Sequence, residues 1–174
     1  DPSALPTFAV AEAAAQESRV VINGEGADEL FAGYRRSRAA WRMQRLGSKL
    51  RWIPGSVIPQ LHRLLPRPRG FRTPYSLGYR FLGGLGLGLG ERYITWSSDG
   101  FTEEEKRNLY FDSERIDATD RFLEEEWDWL EAQGDLDRFM ALDLMVGMRD
   151  CLLVKMDIAT MASSLEARCP FLDH

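Results

Sequence analysis

Cysteine and histidine are scarce, with two of each in 174 residues. His62 and His174 have no Cys or His companion at ligand spacing, so a zinc site is not expected. Cys151 and Cys169 lie in a chain with no mark of secretion and are expected as reduced thiols rather than a disulfide. No apolar run approaches the roughly 20 residues of a membrane-spanning helix. The opening "DPSALPTFAV" also lacks the basic n-region of a signal peptide. A cytoplasmic location without a membrane partner is the expectation. There is no internal repeat. Acidic residues are missing altogether from residues 35–80, which carry eleven Arg and one Lys. The remainder is correspondingly acidic, most densely over 103–137.

What is present is ordinary globular material: 44% hydrophobic and 28% charged residues, with a net charge of −5. That argues against wholesale disorder and suits one domain with a substantial core. The chain starts without Met and stops just after a Pro, so a piece of a longer protein is expected.

The stretch "VVINGEGADELFAGY", residues 20–34, is the first with chemical content. Val20-Val21-Ile22 reads as a short strand buried on both faces of a parallel sheet, with neighbours upstream of Asp1. A preceding helix is expected over residues 7–17 from its alanines. Ala27 to Tyr34 reads as a short following helix, with Gly33 near its end. Helix, strand, Gly turn and helix is the alternation of a doubly wound α/β sheet, where ligands bind beyond the carboxyl ends of the strands. Gly24 and Gly26 allow close backbone approach to a ligand. Two readings of the acids stay open here. Asp28 suits a helix start as a dipole-stabilising acid, while Glu25 and Asp28, three apart, also suit a hard cation carrying a nucleotide phosphate.

Beyond Tyr34 the pattern is helical. "SRAAWRMQRLGSKL" and "SVIPQLHRLLP" are amphipathic, with a break at Pro54-Gly55 and a loop at Pro66, Pro68 and Gly70. Apolar spacing at Leu46, Leu50, Val57, Ile58, Leu61, Leu64 and Leu65 predicts helices packed on their own domain with a solvated basic face. Trp41 and Trp52 among arginines leave nucleic-acid or anionic-membrane binding as the competing reading. "FLGGLGLGLGERY" does not fit G-x-G-x-x-G in any register, so a close-packed or flexible linker is expected rather than a phosphate cradle. Thr102 and Glu105 form a capping box, with Glu103 and Glu104 as helix-start acids. Residues 118–134 read as another helix. From Asp137 to Glu166 an apolar stripe predicts one long helix or two, with Met145, Met148, Met156 and Met161 as core filler.

The second stretch with chemical content is "LLVKMDIATMASSLEARCPFLDH". Lys155 interrupts an apolar run. Such a lysine either snorkels to solvent or pairs with a nearby acid. Beside a nucleotide it would offset charge developing on phosphate or on a tetrahedral centre.

Taken together, "INGEGADELFAGY" and "LLVKMDIATMASSLEARCPFLDH" closely resemble the synthetase domain of glutamine-hydrolysing asparagine synthetases, a family that includes β-lactam synthetases and biosynthetic amidotransferases. The resemblance covers the whole chain in order and spacing. It implies an α/β, Rossmann-like adenine-nucleotide alpha-hydrolase fold, with residues 1–34 ending the nucleotide-binding part and 35–174 a mainly helical part. It also implies ATP and Mg²⁺ as cofactors, and adenylation of a carboxylate, aspartate by family, with release of pyrophosphate. Ammonia from an upstream glutaminase domain then attacks, giving asparagine, AMP and glutamate; no nucleic acid takes part.

Carried over, Asn23 and Gly24 contact the nucleotide, mainly through backbone, and Asp28 helps hold Mg²⁺. Glu25 sits near the reacting acyl centre, Lys155 stabilises phosphate charge, and Asp157, Glu166 and Arg168 brace the lysine helix. The family commonly has Ser at the position of Asn23. Its Ser-Gly-Gly-x-Asp-Ser/Thr pyrophosphate loop occurs nowhere in this chain, so the fragment alone is expected to be inactive. A different acceptor carboxylate, or a non-catalytic helical module, are the alternatives.

Overall fold

The computed structural model describes residues 2–50, 57–69, 73–97, 103–110 and 134–173. Helix α1 (Ala4–Ala15) leads to strand β1 (Val20–Ile22), the short helix α2 (Ala27–Leu30) and the long basic helix α3 (Arg35–Leu50). Helices α4 (Val57–Leu64), α5 (Pro74–Gly84), α6 (Leu89–Ser97) and α7 (Glu103–Leu109) follow. The last part comprises α8 (Asp135–Leu142), a π-helix (Asp143–Leu152), α9 (Leu153–Met161), β2 (Glu166–Arg168) and a 3₁₀ turn (Pro170–Leu172). The chain divides into two compact units, Asp1–Ser37 with Met140–His174, and Arg38–Phe139.

In the first unit, β1 and β2 pair in parallel, with Val20 opposite Glu166, Val21 opposite Ala167 and Ile22 opposite Arg168. The ladder extends at both ends: Glu166 N–H donates to the Arg19 carbonyl at 2.9 Å, and Asn23 N–H to the Arg168 carbonyl at 2.9 Å. One sequence expectation is corrected here: β1 is not buried on both faces, since Val20 is exposed and Ile22 is 77% exposed. Its partner among the described residues lies far downstream in the same chain. A parallel partner needs a crossover connection, and short-range pattern does not identify a partner so distant in sequence. The long helical stripe also ends earlier than expected. Met161 is its last helical residue, and Glu166 already belongs to β2.

The expected stripe has a second irregularity. Phe139, Leu142, Met148 and Leu165 are buried, but Met161 is exposed. A ten-residue π-helix lies between Leu142 and Leu153. Its i→i+5 bonding shifts the phase of every later residue relative to an α-helical count, so a stripe extrapolated with one period drifts off the core.

Helix α2 is tied to the π-helix by buried polar groups. Glu29, 2% exposed, accepts a hydrogen bond from the Tyr34 hydroxyl. The Arg36 guanidinium lies 3.8 Å over the Tyr34 ring and donates through Nε to Oδ1 of the fully buried Asp143 at 2.7 Å. Buried carboxylates are tolerated only when paired in this way. Burial first, then the hydrogen bond and charge of Glu29, push the Tyr34 hydroxyl well above its ordinary value of 10.0. Between α2 and Tyr34 the chain turns through Ala32 at φ 55°, a left-handed conformation that costs an alanine about 1–2 kcal/mol.

The second unit contains two helices that pattern alone did not reveal, α5 and α6. The start of α5 has a recognisable signal: Thr73 Oγ1 accepts from Ser76 N–H at 3.1 Å, and Pro74 occupies the first turn. The Leu-Gly stretch closes the gap between the two helices as a tight turn, with Gly86 at φ 86°. Trp96 of α6 stacks on Phe81 of α5 with centroids 5.5 Å apart and lies 5.6 Å from Phe139. Its indole N–H donates to the Arg80 carbonyl at 3.1 Å. Arg92 is mostly buried and pairs with Asp135 at 2.8 Å. The packing expected of the basic segment is only partial, because Leu46, Val57, Leu61 and Leu64 are exposed. The Thr102 cap and residues 118–133 of the helix expected over 118–134 lie outside the described residues.

Two measurements test this packing. A Cβ on Gly84 would sit 2.3 Å from Trp96 Nε1, and that ring is held by two aromatic neighbours and a hydrogen bond. Gly84→Ala is expected to cost about 1–3 kcal/mol as overpacking, read as a lower midpoint in denaturant unfolding followed by tryptophan fluorescence. Tyr34 supplies the second. Its folded-state pKa lies above the unfolded one, so the folded form holds the proton more tightly. The stability it contributes is therefore fully present below about pH 10 and is lost as pH rises beyond that. Tyr34→Phe should be less stable than wild type at neutral pH, because Glu29 loses its buried donor. The gap between the two proteins should narrow as pH climbs past 10 in parallel melts.

Candidate functional site

The site begins where β1 ends. Gly26 at φ 94° opens α2 in a left-handed conformation, and a Cβ there would lie 2.5 Å from a Leu172 side-chain carbon. Glycine is the residue that tolerates both conditions. The loop is thus pinned between the pairing of β1 with β2 and the C-terminal turn. Phe31 adds an edge-on contact to Phe171, with centroids 5.8 Å apart.

Asn23 is bonded on two sides. Its backbone N–H belongs to the ladder, and its side-chain Oδ1 accepts from Glu25 N–H at 3.1 Å, a local Asx turn. Its Nδ2 is buried and has no hydrogen-bond partner among the described residues. Gly24 is exposed, with open space where a Cβ would stand. Together they give a buried, unspent donor next to a glycine with open space on its Cβ side.

Glu25 does not stand with Asp28. Its carboxylate Oε1 lies 3.6 Å from Lys155 Nζ, and the two side chains are 22% and 11% exposed. Lys155 also donates to Ser3 Oγ at 3.2 Å. The lysine therefore does not snorkel to solvent; it pairs with an acid 130 positions earlier in the chain. Helix α9 presents it there because α9 packs on α1 and on β2, whose partner β1 delivers Glu25. Asp28 is exposed on the first turn of α2, and its carbonyl accepts from Gly33 N–H at 2.9 Å. A Cβ at Gly33 would stand 2.0 Å from Asp28 Oδ1, so the glycine leaves room for that carboxylate. Among the described residues no three His, Cys, Asp or Glu side chains gather as a metal-binding group.

The structure therefore brings Asn23, Gly24, Glu25 and Lys155 together and leaves Asp28 on the neighbouring turn. Glu166 and Arg168 do not brace the lysine helix as expected. They lie on β2, where they pair with each other at 2.8 Å as exposed side chains. Asp157 is exposed as well. Ser3 was missed, because a serine near a helix start is ordinarily read as a cap. Arg36 and Asp143 were missed because 107 residues separate them. Chemically, a shielded ammonium beside a carboxylate can stabilise developing negative charge while the carboxylate accepts a proton. Among the described residues no helix is long and apolar enough to cross a membrane.

A family model for asparagine synthase matches residues 1–174. The chain is 34% identical over 180 residues to a Mycobacterium tuberculosis protein named "Putative asparagine synthetase (glutamine-hydrolyzing)", covering 99% of this chain and 25% of that protein. It is 32% identical over 178 residues to Bacillus subtilis "Asparagine synthetase (glutamine-hydrolyzing) 1", covering 99% of this chain and 26% of that one. The chain thus spans about a quarter of the length of these curated relatives. No solved structure matches it. A family match over every residue, with the quoted motifs meeting in one place, leads to one conclusion: the chain belongs to the asparagine synthase family.

Proposed function

We propose that the chain is part of an ATP-dependent carbon–nitrogen ligase that adenylates a carboxylate, aspartate by family, and passes the acyl group to ammonia. The observation that carries this reading is the approach of Lys155 Nζ to Glu25 Oε1, 3.6 Å apart, in a chain matched throughout by the family. A Rossmann-like adenine-nucleotide alpha-hydrolase fold for the whole domain is part of the proposal. It is supported by the parallel pairing of β1 and by a Gly-rich turn at the strand's carboxyl end.

In the reaction, a carboxylate oxygen bonds to the α-phosphorus of ATP, and the bond from that phosphorus to pyrophosphate breaks. The nitrogen of ammonia then bonds to the acyl carbon, and the bond from that carbon to AMP breaks. The amine proton released passes to the Glu25 carboxylate. Glutamine hydrolysed by an upstream domain supplies the ammonia and leaves glutamate. Lys155 stabilises negative charge on phosphate and leaving group. With its charge shared with the phosphate, the Lys155 ammonium beside Glu25 holds that carboxylate less tightly, so the ion pair couples the two roles. Asn23 and Gly24 contact the nucleotide mainly through backbone, supported by the open space where a Cβ at Gly24 would stand.

An ion carried by the phosphates needs only one or two protein carboxylates. The single exposed carboxylate of Asp28 fits that requirement, whereas a closed protein cage would need a larger donor set. Mg²⁺ there would offset the charge of the departing pyrophosphate, with Asp28 as its protein ligand.

In the full-length protein that carries this chain, Lys155→Ala is expected to lower substrate-dependent pyrophosphate release by at least about a hundredfold. Glutamine hydrolysis should continue. Undiminished synthesis by the variant removes Lys155 from the chemistry. Aspartate is the first acceptor to assay; release with another carboxylate but not with aspartate would move the protein to a β-lactam-synthetase-like ligase. The isolated 174-residue chain is expected to form no acyl-adenylate, and detecting that product with ATP and aspartate would overturn this expectation.

A further inference from the structure

Ser3 occupies the N-cap position of α1 but does not cap it. A serine there ordinarily adopts extended backbone and gives its hydroxyl oxygen to an amide of the first turn. Ser3 instead has φ −76° and ψ −7°, and its side chain makes no cap bond. Its Oγ accepts from Lys155 Nζ at 3.2 Å. Its backbone carbonyl is held separately, accepting from Thr7 N–H at 3.1 Å and Thr7 Oγ1 at 2.7 Å. The residue is thus anchored to its helix through the main chain, while its hydroxyl faces the lysine.

The lysine ammonium has three protons to donate and no means of fixing its own direction on a flexible stem. Glu25 at 3.6 Å supplies attraction, but that separation exceeds a hydrogen bond. Ser3 supplies a directional bond, at 3.2 Å. Being neutral, it orients the ammonium without adding a second negative charge beside it.

We infer that Ser3 is a positioning residue for Lys155, holding its ammonium beside Glu25 and directed at the reacting phosphate. The inference rests on the ligase reading of Lys155. It adds a residue that touches no reacting atom.

The test uses the full-length protein with Ser3→Ala, Ser3→Thr and Ser3→Asp, assayed for pyrophosphate release with aspartate, with glutamine hydrolysis and thermal midpoint measured alongside. A misplaced catalytic group lowers turnover rather than binding. Ser3→Ala should lower kcat by about ten- to a hundredfold, with KM for ATP changed by no more than about twofold. Ser3→Thr, which keeps the hydroxyl, should recover most of kcat. Ser3→Asp is a good helix cap but places a second carboxylate by the ammonium, so it should not recover kcat even where it raises the thermal midpoint. Unchanged kcat in Ser3→Ala, or full recovery in Ser3→Asp, overturns the inference and leaves Ser3 a helix-start residue. Lys155→Ala in the same assay separates the two levels. Synthesis retained by that variant sinks the ligase reading and the Ser3 role with it. Synthesis lost there but intact in Ser3→Ala sinks the Ser3 role alone.

Discussion

The parallel pairing of Val20–Ile22 with Glu166–Arg168 is the contact on which the site geometry depends. Each strand is three residues long, and two strands so short hold together only when their surroundings also pack. Here the surroundings are α9, packed on both α1 and β2, and the bonds that continue the ladder at Arg19 and Asn23. The pairing sets where β1 stops, and so where Glu25 stands. The same pairing fixes β2, against which α9 presents Lys155. The charge pair is therefore a product of the sheet register. A slip of one residue would turn every side chain of the strand to the opposite face.

A second set of contacts keeps the loop from relaxing. Glu29 and Asp143 are both buried, and each depends on a partner from the short segment Tyr34–Arg36. Losing the donor to a buried carboxylate costs about 1–3 kcal/mol. The two contacts together exceed the left-handed strain of about 1–2 kcal/mol at Ala32, so an alanine is held at φ 55° beside them. The three acids of the Gly-rich stretch thus have three different environments. Glu25 faces a lysine, Asp28 faces solvent and Glu29 faces a tyrosine.

How much of this could be read in advance depends on the range of each interaction. Local chemistry was legible: the alanines of α1, the Gly turn after β1, the helical spacing of α3 and α4, and the likeness of the two motifs to one family. The partner of β1 was not, because nothing in Val20-Val21-Ile22 distinguishes a downstream neighbour from an upstream one. Glu166 looked helical because it follows an apolar stripe without a proline or glycine to interrupt it. The turn at Ser164, with φ 53°, makes the break instead, and serine gives little warning of that conformation. Site membership followed the same division. Lys155 and Glu25 were singled out by motif. Ser3 was overlooked because its role depends on a helix that arrives 152 positions later.

The π-helix bears on length rather than on composition. Asp143 at its start is fixed to Arg36, and Lys155, just past its end, is fixed to Glu25 and Ser3. Between these anchors the wide turns absorb length that an α-helix would turn into rotation. Losing one residue while the turns stay wide would swing the lysine away from both partners, whereas losing it as the turns tighten to α-helix would leave the lysine near its present phase. A natural relative one residue shorter between these two positions is therefore expected to carry a plainer helix there and to keep the ion pair.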